Sequence, residues 1–321
     1  MWQNRAVPPR SNDAGGLAPL APSDRPTLAY DLPALEVGVA EYAEGPTGCT
    51  VFHFPRGAAC AVDVRGGSVG VLGESYGGCD AICLAGGSLY GLEAATGVSA
   101  ELLARRGYEA GWGKIGVVAG AVIYDLGGRD NTIYPDKELG RAALRAARTG
   151  SFPLGPCGAG RSATVGKLFN PQLHADAAGQ GGAFRQLGPD KLAVFTVVNA
   201  VGAIVDRAGR TVRGYRDPAT GQRRQLADLL EGGPPAAAPP PGNTTLTVVV
   251  ANRKLDQRSL RQLGRQVHAS MARAIQPFHA LSDGDVLFAA STGEVENPDL
   301  GPDKLAAIAS ELAWDAVLAS F

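Results

Sequence analysis

The chain reads as an α/β protein of stacked sheet and helix layers, and three observations predict it. Apolar, β-branched runs alternate with helical stretches, without the strict rhythm of a βαβ repeat. The 321 residues are 45% hydrophobic and only 19% charged, with 44 glycines, which supplies a large core and excludes a disordered chain. No stretch repeats itself at a period of about 20 to 50 residues, which excludes a solenoid.

Taken in order, residues 1–33 are rich in Pro, Ser, Ala and Gly and read as a flexible N-terminal arm. Residues 34–321 read as one domain. "LEVGVAEY" and "CTVFHF" carry β-branched and aromatic residues between turn signals and predict strands. "AVDVRGG" ends in a glycine pair, and "AICLAGG" is a buried strand running into a glycine turn. "SLYGLEAATGVSAELLARRG" predicts a helix closed by Gly107. "IGVVAGAVIYDL" is strand material, and "KELGRAALRAART" is a helix with Gly150 beyond its end. "KLAVFTVVNAVGAIVD" is the longest β-like run. Residues 231–243, "EGGPPAAAPPPGN", break all periodicity and predict an exposed, extended linker. "TTLTVVVAN" then starts a strand at once. Leu260, Leu263, Val267, Met271 and Ile275 line one face of an amphipathic helix. "DVLFAAS" is a last strand and "DKLAAIASELAWDAVLA" a closing helix.

Several function classes are excluded. The net charge is −1, and the basic "GQRRQ" is too short to be an arm, so no nucleic-acid partner is expected. The longest apolar runs fall short of a membrane span, so no membrane partner is expected either. The start, "MWQNRAVPPR", lacks the apolar core of a signal peptide. Five cysteines, odd in number and without a CxxC pair, read as small buried thiols in a reducing cytoplasm. Four histidines with no i, i+4 pair do not make a zinc site.

Three familiar motifs nearly match and fail. In "GRSATVGKL", five residues separate Gly160 from Gly166 where a phosphate loop has four, and Leu168 replaces the magnesium-holding hydroxyl. In "GGSLYG", the glycine after Ser88 comes one residue late for a nucleophile elbow. "GAGRSA" follows "SFPLGPC", a poor strand, so the dinucleotide fingerprint lacks its context.

The stretch "PPPGNTTLTVVVAN" carries chemistry of another kind. A threonine hydroxyl is a weak nucleophile, and its own α-amine can serve as its base when it is the first residue of a chain. Such an amine has a pKa of about 7.7–8.0 and accepts a proton near neutrality. Thr244 meets that condition only if the bond after Asn243 is cut. Its hydroxyl could attack the Asn243 carbonyl, giving an ester that water then releases. Alone, "GNTT" reads better as a plain turn before a strand, since turns use these residues routinely. Further on, "HALSDGD" places Asp283 and Asp285 around Gly284, which allows a bend that turns both carboxylates to one side. Such a pair can orient an ammonium or a hydroxyl, whereas a calcium loop would need further acidic ligands.

Taken together, "RGGSVGVLGES", "DAICLAGGSLYGLEAATGV", "AVIYDL", "GAGRSATVGK", "VVNAVGAIVD", "GNTT" and "PFHALSDGD" resemble the P1 (S58, DmpA-like) peptidase family of N-terminal nucleophile hydrolases. "TIYPDKELGRAALRAA", "DRAGRTVRG", "RQVHASMARAIQPFH" and "ELAWDAVL" are similar to its nylon-hydrolase branch. The match runs in order from about residue 34 to the end. The resemblance implies a four-layer αββα sandwich with the nucleophile at the start of a central strand. It implies autocleavage between Asn243 and Thr244 into an α chain, 1–243, and a β chain, 244–321, with four such αβ units assembled. It implies Thr244 as nucleophile, Asp283 and Asp285 as the pair that positions it, and Asn199 as the amide donor to the oxyanion. Lys167 would lie beside the threonine, and Tyr124 would offer a hydroxyl near the scissile carbonyl. Without the resemblance, Asn199 reads rather as a strand cap, Tyr124 as core and Lys167 as a surface residue at a helix start. The activity implied is hydrolysis of linear amides such as 6-aminohexanoate oligomers, with no metal or organic cofactor. The exopeptidase branch uses serine, so a threonine with "DGD" favours the amidase branch over a β-aminopeptidase or D-amino-acid esterase/amidase. An unprocessed homologue that binds a small ligand is the non-catalytic alternative. Ala251 stands where relatives often have a threonine.

Overall fold

The computed structural model describes residues 10–72, 77–233 and 242–321. Eight main strands are β1 (Glu36–Tyr42), β2 (Thr47–Val64), β3 (Gly78–Ala85), β4 (Val118–Val122), β5 (Gln180–Leu187), β6 (Asp190–Asn199), β7 (Thr244–Arg253) and β8 (Val286–Val295). Four main helices are α1 (Glu93–Arg105), α2 (Lys137–Ala146), α3 (Gln257–Ser270) and α4 (Pro302–Leu318). The strands run in the order β5-β6-β7-β8-β2-β3-β4, with β1 also on β2 and the short Val71–Leu72 on the outer edge of β4. Most pairs are antiparallel; β7–β8 and β3–β4 are parallel.

Strand β2 turns this continuous ladder into two layers. Residues 47–53 pair with β1, residues 49–53 and 58–59 with β3, and residues 59–64 with β8. The register slips between His53 and Ala58, across Pro55 and the left-handed Gly57. A proline donates no ladder hydrogen bond, and glycine takes a positive φ without strain, so the strand bends there.

The period of two along each strand then sorts the side chains into three cores. Leu192, Val194, Val249 and Leu287 pack against Leu260, Leu263 and Val267 of α3 and Leu305 and Leu312 of α4. Their neighbours Ala193, Phe195, Val248 and Phe288 face the other way, onto Phe52, Ile82, Leu84 and Ala121 of the second layer. On the far side of that layer, Val51, Cys83 and Val122 meet Val98, Leu102, Leu139 and Leu144 of α1 and α2. The order is helices, sheet, sheet, helices, as expected.

Helix starts follow their sequence signals. Asp136 caps α2 by accepting the Leu139 N–H, Asp256 caps α3 by accepting the Ser259 N–H, and Pro302 opens α4. The amphipathic helix is shorter than its apolar spacing suggests. It stops at Ser270, although Met271 and Ile275 join the same core. Pro277 disfavours helix at the residue before it, and Ile275–Gln276 instead pairs with Ala203–Ile204. The β-like run 191–206 divides into β6 and Ala203–Val205, because Gly202 crosses against the backbone at Pro277.

Residues 1–9 of the expected arm and 234–241 of the expected linker lie outside the described residues. Residues 10–33 run along the body: Thr27–Ala29 pairs with Ser151–Pro153, and Asn12 Nδ2 donates to Asp136 at 2.8 Å. All five cysteines are buried and free.

Candidate functional site

Strand β7 lies between β6 and β8 and is buried along its whole length. Its first residue is Thr244, fully enclosed and directly opposite Asn199, the last residue of β6. The Thr244 hydroxyl donates to the carbonyl oxygen of Asn243. That oxygen also accepts the Gly284 N–H at 2.7 Å. The peptide bond between Asn243 and Thr244 therefore has its carbonyl polarised by two donors, one of them the hydroxyl of the next residue.

Gly284 can sit this close because it has no side chain. A Cβ there would lie 2.6 Å from the Ser68 carbonyl oxygen and 2.9 Å from Thr244 Oγ1. The "RGGS" loop explains itself in the same way. Arg65 and Gly66 N–H groups donate to the Asp285 carbonyl, and Ser68 N–H to that of Asp283. A Cβ on Gly66 would meet Asp283 O and Asp285 N at 2.3 Å each, so only glycine lets the two backbones touch.

The two aspartates are fully buried and hold backbone groups around Thr244. Asp285 Oδ1 accepts the Thr245 N–H at 2.6 Å. Asp283 accepts the Val201 N–H at 3.2 Å and the Ala280 N–H at 3.1 Å. Burial, with the Asp285 charge beside it, raises the Asp283 carboxyl to about 7. Lys167 is set by the left-handed Gly166, whose Cα approaches Gly214 too closely for any side chain. Its ammonium donates to the backbone and side-chain oxygens of Asn199, both at 3.0 Å. Burial lowers the Lys167 amine to about 7, with Asp283 and Asp125 opposing the fall. Asn199 Oδ1 also accepts the Thr164 N–H, so the amide is fixed with Nδ2 turned to the Tyr124 carbonyl, at 3.0 Å, and to Gly242 O.

The structure thus brings Thr244, Asn199, Lys167, Asp283 and Asp285 into one cluster around the bond after Asn243. Tyr124 joins through its carbonyl and through its Cβ, which lies against Gly242; its hydroxyl is on the side of Gly70. A cleft of about 870 Å³ opens over this cluster, lined by Tyr124, Asp125, Arg129, Lys167, Asn199 and Gly242 among others. Asp125 and Arg129 pair at 3.3 Å in its wall. Among the described residues, no group of three His, Cys, Asp or Glu side chains is placed to hold a metal ion.

Two participants were missed from sequence. In sequence Gly284 marks only a bend, yet it also supplies the N–H on the Asn243 carbonyl. His279 carries no chemical pattern in sequence, yet its Nδ1 lies 2.9 Å from Asp285 Oδ2. Its one visible signal was its place in "PFHALSDGD".

Solved structures share this architecture. A beta-aminopeptidase of Burkholderia sp. superposes with a TM-score of 0.62 over 90% of this chain and 84% of its own, at 18% identity. The L-aminopeptidase D-Ala-esterase/amidase from Ochrobactrum anthropi, described as a variant of the Ntn hydrolase fold, gives 0.65 over 93% and 87%, at 16% identity. The chain has the N-terminal nucleophile hydrolase fold, of the DmpA-like kind. The model of peptidase family S58 matches residues 29–320, and the chain belongs to that family. It is 47% identical over 320 residues to the 6-aminohexanoate-oligomer endohydrolase of Agromyces sp. (strain KY5R), covering 96% of this chain and 89% of that one. It is 35% identical over 267 residues to an uncharacterized aminopeptidase of Mycobacterium tuberculosis, covering 78% and 75%.

Proposed function

We propose that this chain is a self-processing amidohydrolase that cuts linear amides of the 6-aminohexanoate-oligomer kind, with Thr244 as its nucleophile. The observation that carries the reading is the Thr244 hydroxyl on the Asn243 carbonyl, with the Gly284 N–H on the same oxygen. In the first stage, Thr244 Oγ attacks the Asn243 carbonyl carbon. The C–N bond breaks as an ester forms, and the proton from the hydroxyl passes to the new α-amine. Water then hydrolyses the ester, leaving Asn243 as a C-terminal carboxylate and Thr244 as a free N-terminus. Withdrawal of Gly242 and Asn243 uncovers Thr244 beneath the cleft.

In the second stage, the α-amine takes the hydroxyl proton as Oγ attacks a substrate amide. The proton passes to the leaving amine, and water releases the acyl group from the threonine. Asn199 Nδ2 stabilises the oxyanion, in place of its bond to Gly242 O. Lys167 fixes Asn199, and Asp283 and Asp285 hold the backbone at residues 201 and 245. No step of this scheme calls on a metal or organic cofactor. The two products are a chain of residues 1–243 and one of 244–321, which remain together and assemble as four αβ units.

The 47% identity to a 6-aminohexanoate-oligomer endohydrolase supports the substrate class. Processed protein should release amine from a 6-aminohexanoate oligomer whether or not the oligomer's terminal amine is acetylated. Activity confined to free-amine substrates would favour a β-aminopeptidase or D-amino-acid esterase/amidase instead; the mycobacterial relative is named an uncharacterized aminopeptidase. No helix among the described residues is long and apolar enough to cross a membrane. The cytoplasm fits the five unpaired thiols.

A further inference from the structure

Behind Asp285 lies a row of side chains that the proposed chemistry leaves unused. Asp285 Oδ2 accepts twice from one residue: from the His279 N–H at 3.1 Å and from His279 Nδ1 at 2.9 Å. The other oxygen of the same carboxylate holds the Thr245 N–H. His279 has φ +59, a left-handed conformation that a non-glycine residue adopts rarely. Its ring stands edge-on to His268, with centroids 4.4 Å apart, and lies tilted against Phe278, with centroids 3.9 Å apart. His268 is fully buried, and its Nδ1 lies 2.9 Å from Asp63 Oδ2, which in turn accepts from Arg65 at 2.6 Å. The ring of His279 is therefore clamped on both sides, and its Nδ1–H has one direction available, toward Asp285.

We infer that His279 is a positioning residue of this site. It fixes the rotation of the Asp285 carboxylate, which fixes the Thr245 amide and so the approach of Thr244 Oγ to the Asn243 carbonyl. A carboxyl group free to turn about its last bond would hold Thr245 with one oxygen or the other. The double contact from His279 removes that freedom, and His268 with Asp63 removes the freedom of His279. The inference rests on the self-cleavage reading for its catalytic consequence, and on geometry alone for its structural one.

Two substitutions separate the imidazole from the backbone it sits on. His279→Gly keeps the left-handed conformation at no steric cost and loses the ring. His279→Asn also tolerates that conformation and restores a side-chain donor near Nδ1. Self-cleavage of His279→Gly should be slower by between about 10- and 100-fold, and His279→Asn should recover most of the rate. The same pair, built into the uncut Thr244→Ala chain, is read by amide hydrogen exchange. The ratio of exchange at Thr245 to that at Val249, in the same strand, should rise about tenfold with glycine and return with asparagine. General loosening of the fold would move both amides and leave the ratio unchanged. Native-like cleavage in His279→Gly, or an asparagine variant as slow as the glycine one, overturns the inference. An unchanged exchange ratio overturns it too, even if the native chain never cuts itself. A native chain that stays whole while the ratio rises leaves the positioning role standing and removes the self-cleavage reading.

Discussion

Lys167 and Asp283 are displaced toward one another in pKa, each to about 7, and burial is the leading cause for both. The consequences for stability run in opposite directions. Asp283 binds its proton more tightly folded than unfolded, so its contribution is full below its unfolded value and is lost as pH rises to about 7. Lys167 binds its proton less tightly folded, so its contribution is full above its unfolded value and is lost as pH falls to about 7. The pair therefore predicts a dip in stability near neutrality. Asp283→Asn should flatten the acid side of the urea-midpoint profile and Lys167→Met the alkaline side. Asn199→Ala should lower amide hydrolysis by roughly 10²–10³-fold, the cost of losing one oxyanion donor, with the fold retained. Thr244 and the aspartates stand out through the short patterns "GNTT" and "DGD", whereas Asn199 stands out only through the resemblance of the ordered motifs as a whole. His279 and the Gly284 N–H do not stand out, because their partners come from contacts that only the folded chain creates.

Elements were legible to the degree that a period governs them. Strands β7 and β8 and helices α2 and α4 follow their apolar patterns closely, and Asp256 marks the start of α3 as a capping residue should, although α3 ends before its apolar spacing does. Asp256→Ala should lower stability by about 0.5–2 kcal/mol, measured by denaturant unfolding. The bend in β2 was hidden: "CTVFHF" and "AVDVRGG" read as two strands, yet both belong to one 18-residue strand that serves two layers. The packing of α1 on α2 was hidden as well. It depends on Gly97 and Gly140, where a Cβ would lie 2.1 Å from Lys137 O and 2.0 Å from Ala94 O. No periodic signal marks such a crossing. Gly140→Ala should force the two helices apart and cost about 1–3 kcal/mol or more, despite alanine's better helix propensity.

At the scale of the molecule, the four layers give the proposed nucleophile a fixed place although it begins as an internal residue. Strand β7 is held on both edges and both faces, so Thr244 stays fixed whether or not residue 243 is attached. The side that must change is the linker side, where Gly242 already lies against the cleft. Alternation of strands and helices made the stacked layers legible, but not which strands face one another across the central core. That order came from long-range pairing, which local sequence does not encode. Self-association as four αβ units predicts a solution mass near four times 32.9 kDa, checked by light scattering.

The central claim is that the chain cuts itself before Thr244, and the intact mass of denatured purified protein, with N-terminal sequencing, tests it most directly. The account predicts two pieces of about 25 and about 8 kDa, in proportion to residues 1–243 and 244–321 of the 32.9 kDa chain, the smaller beginning Thr-Thr-Leu-Thr. Both should vanish in Thr244→Ala. A native chain that stays whole after long incubation, yet hydrolyses amides, would contradict the account, because Thr244 would then have no free α-amine to act as its base.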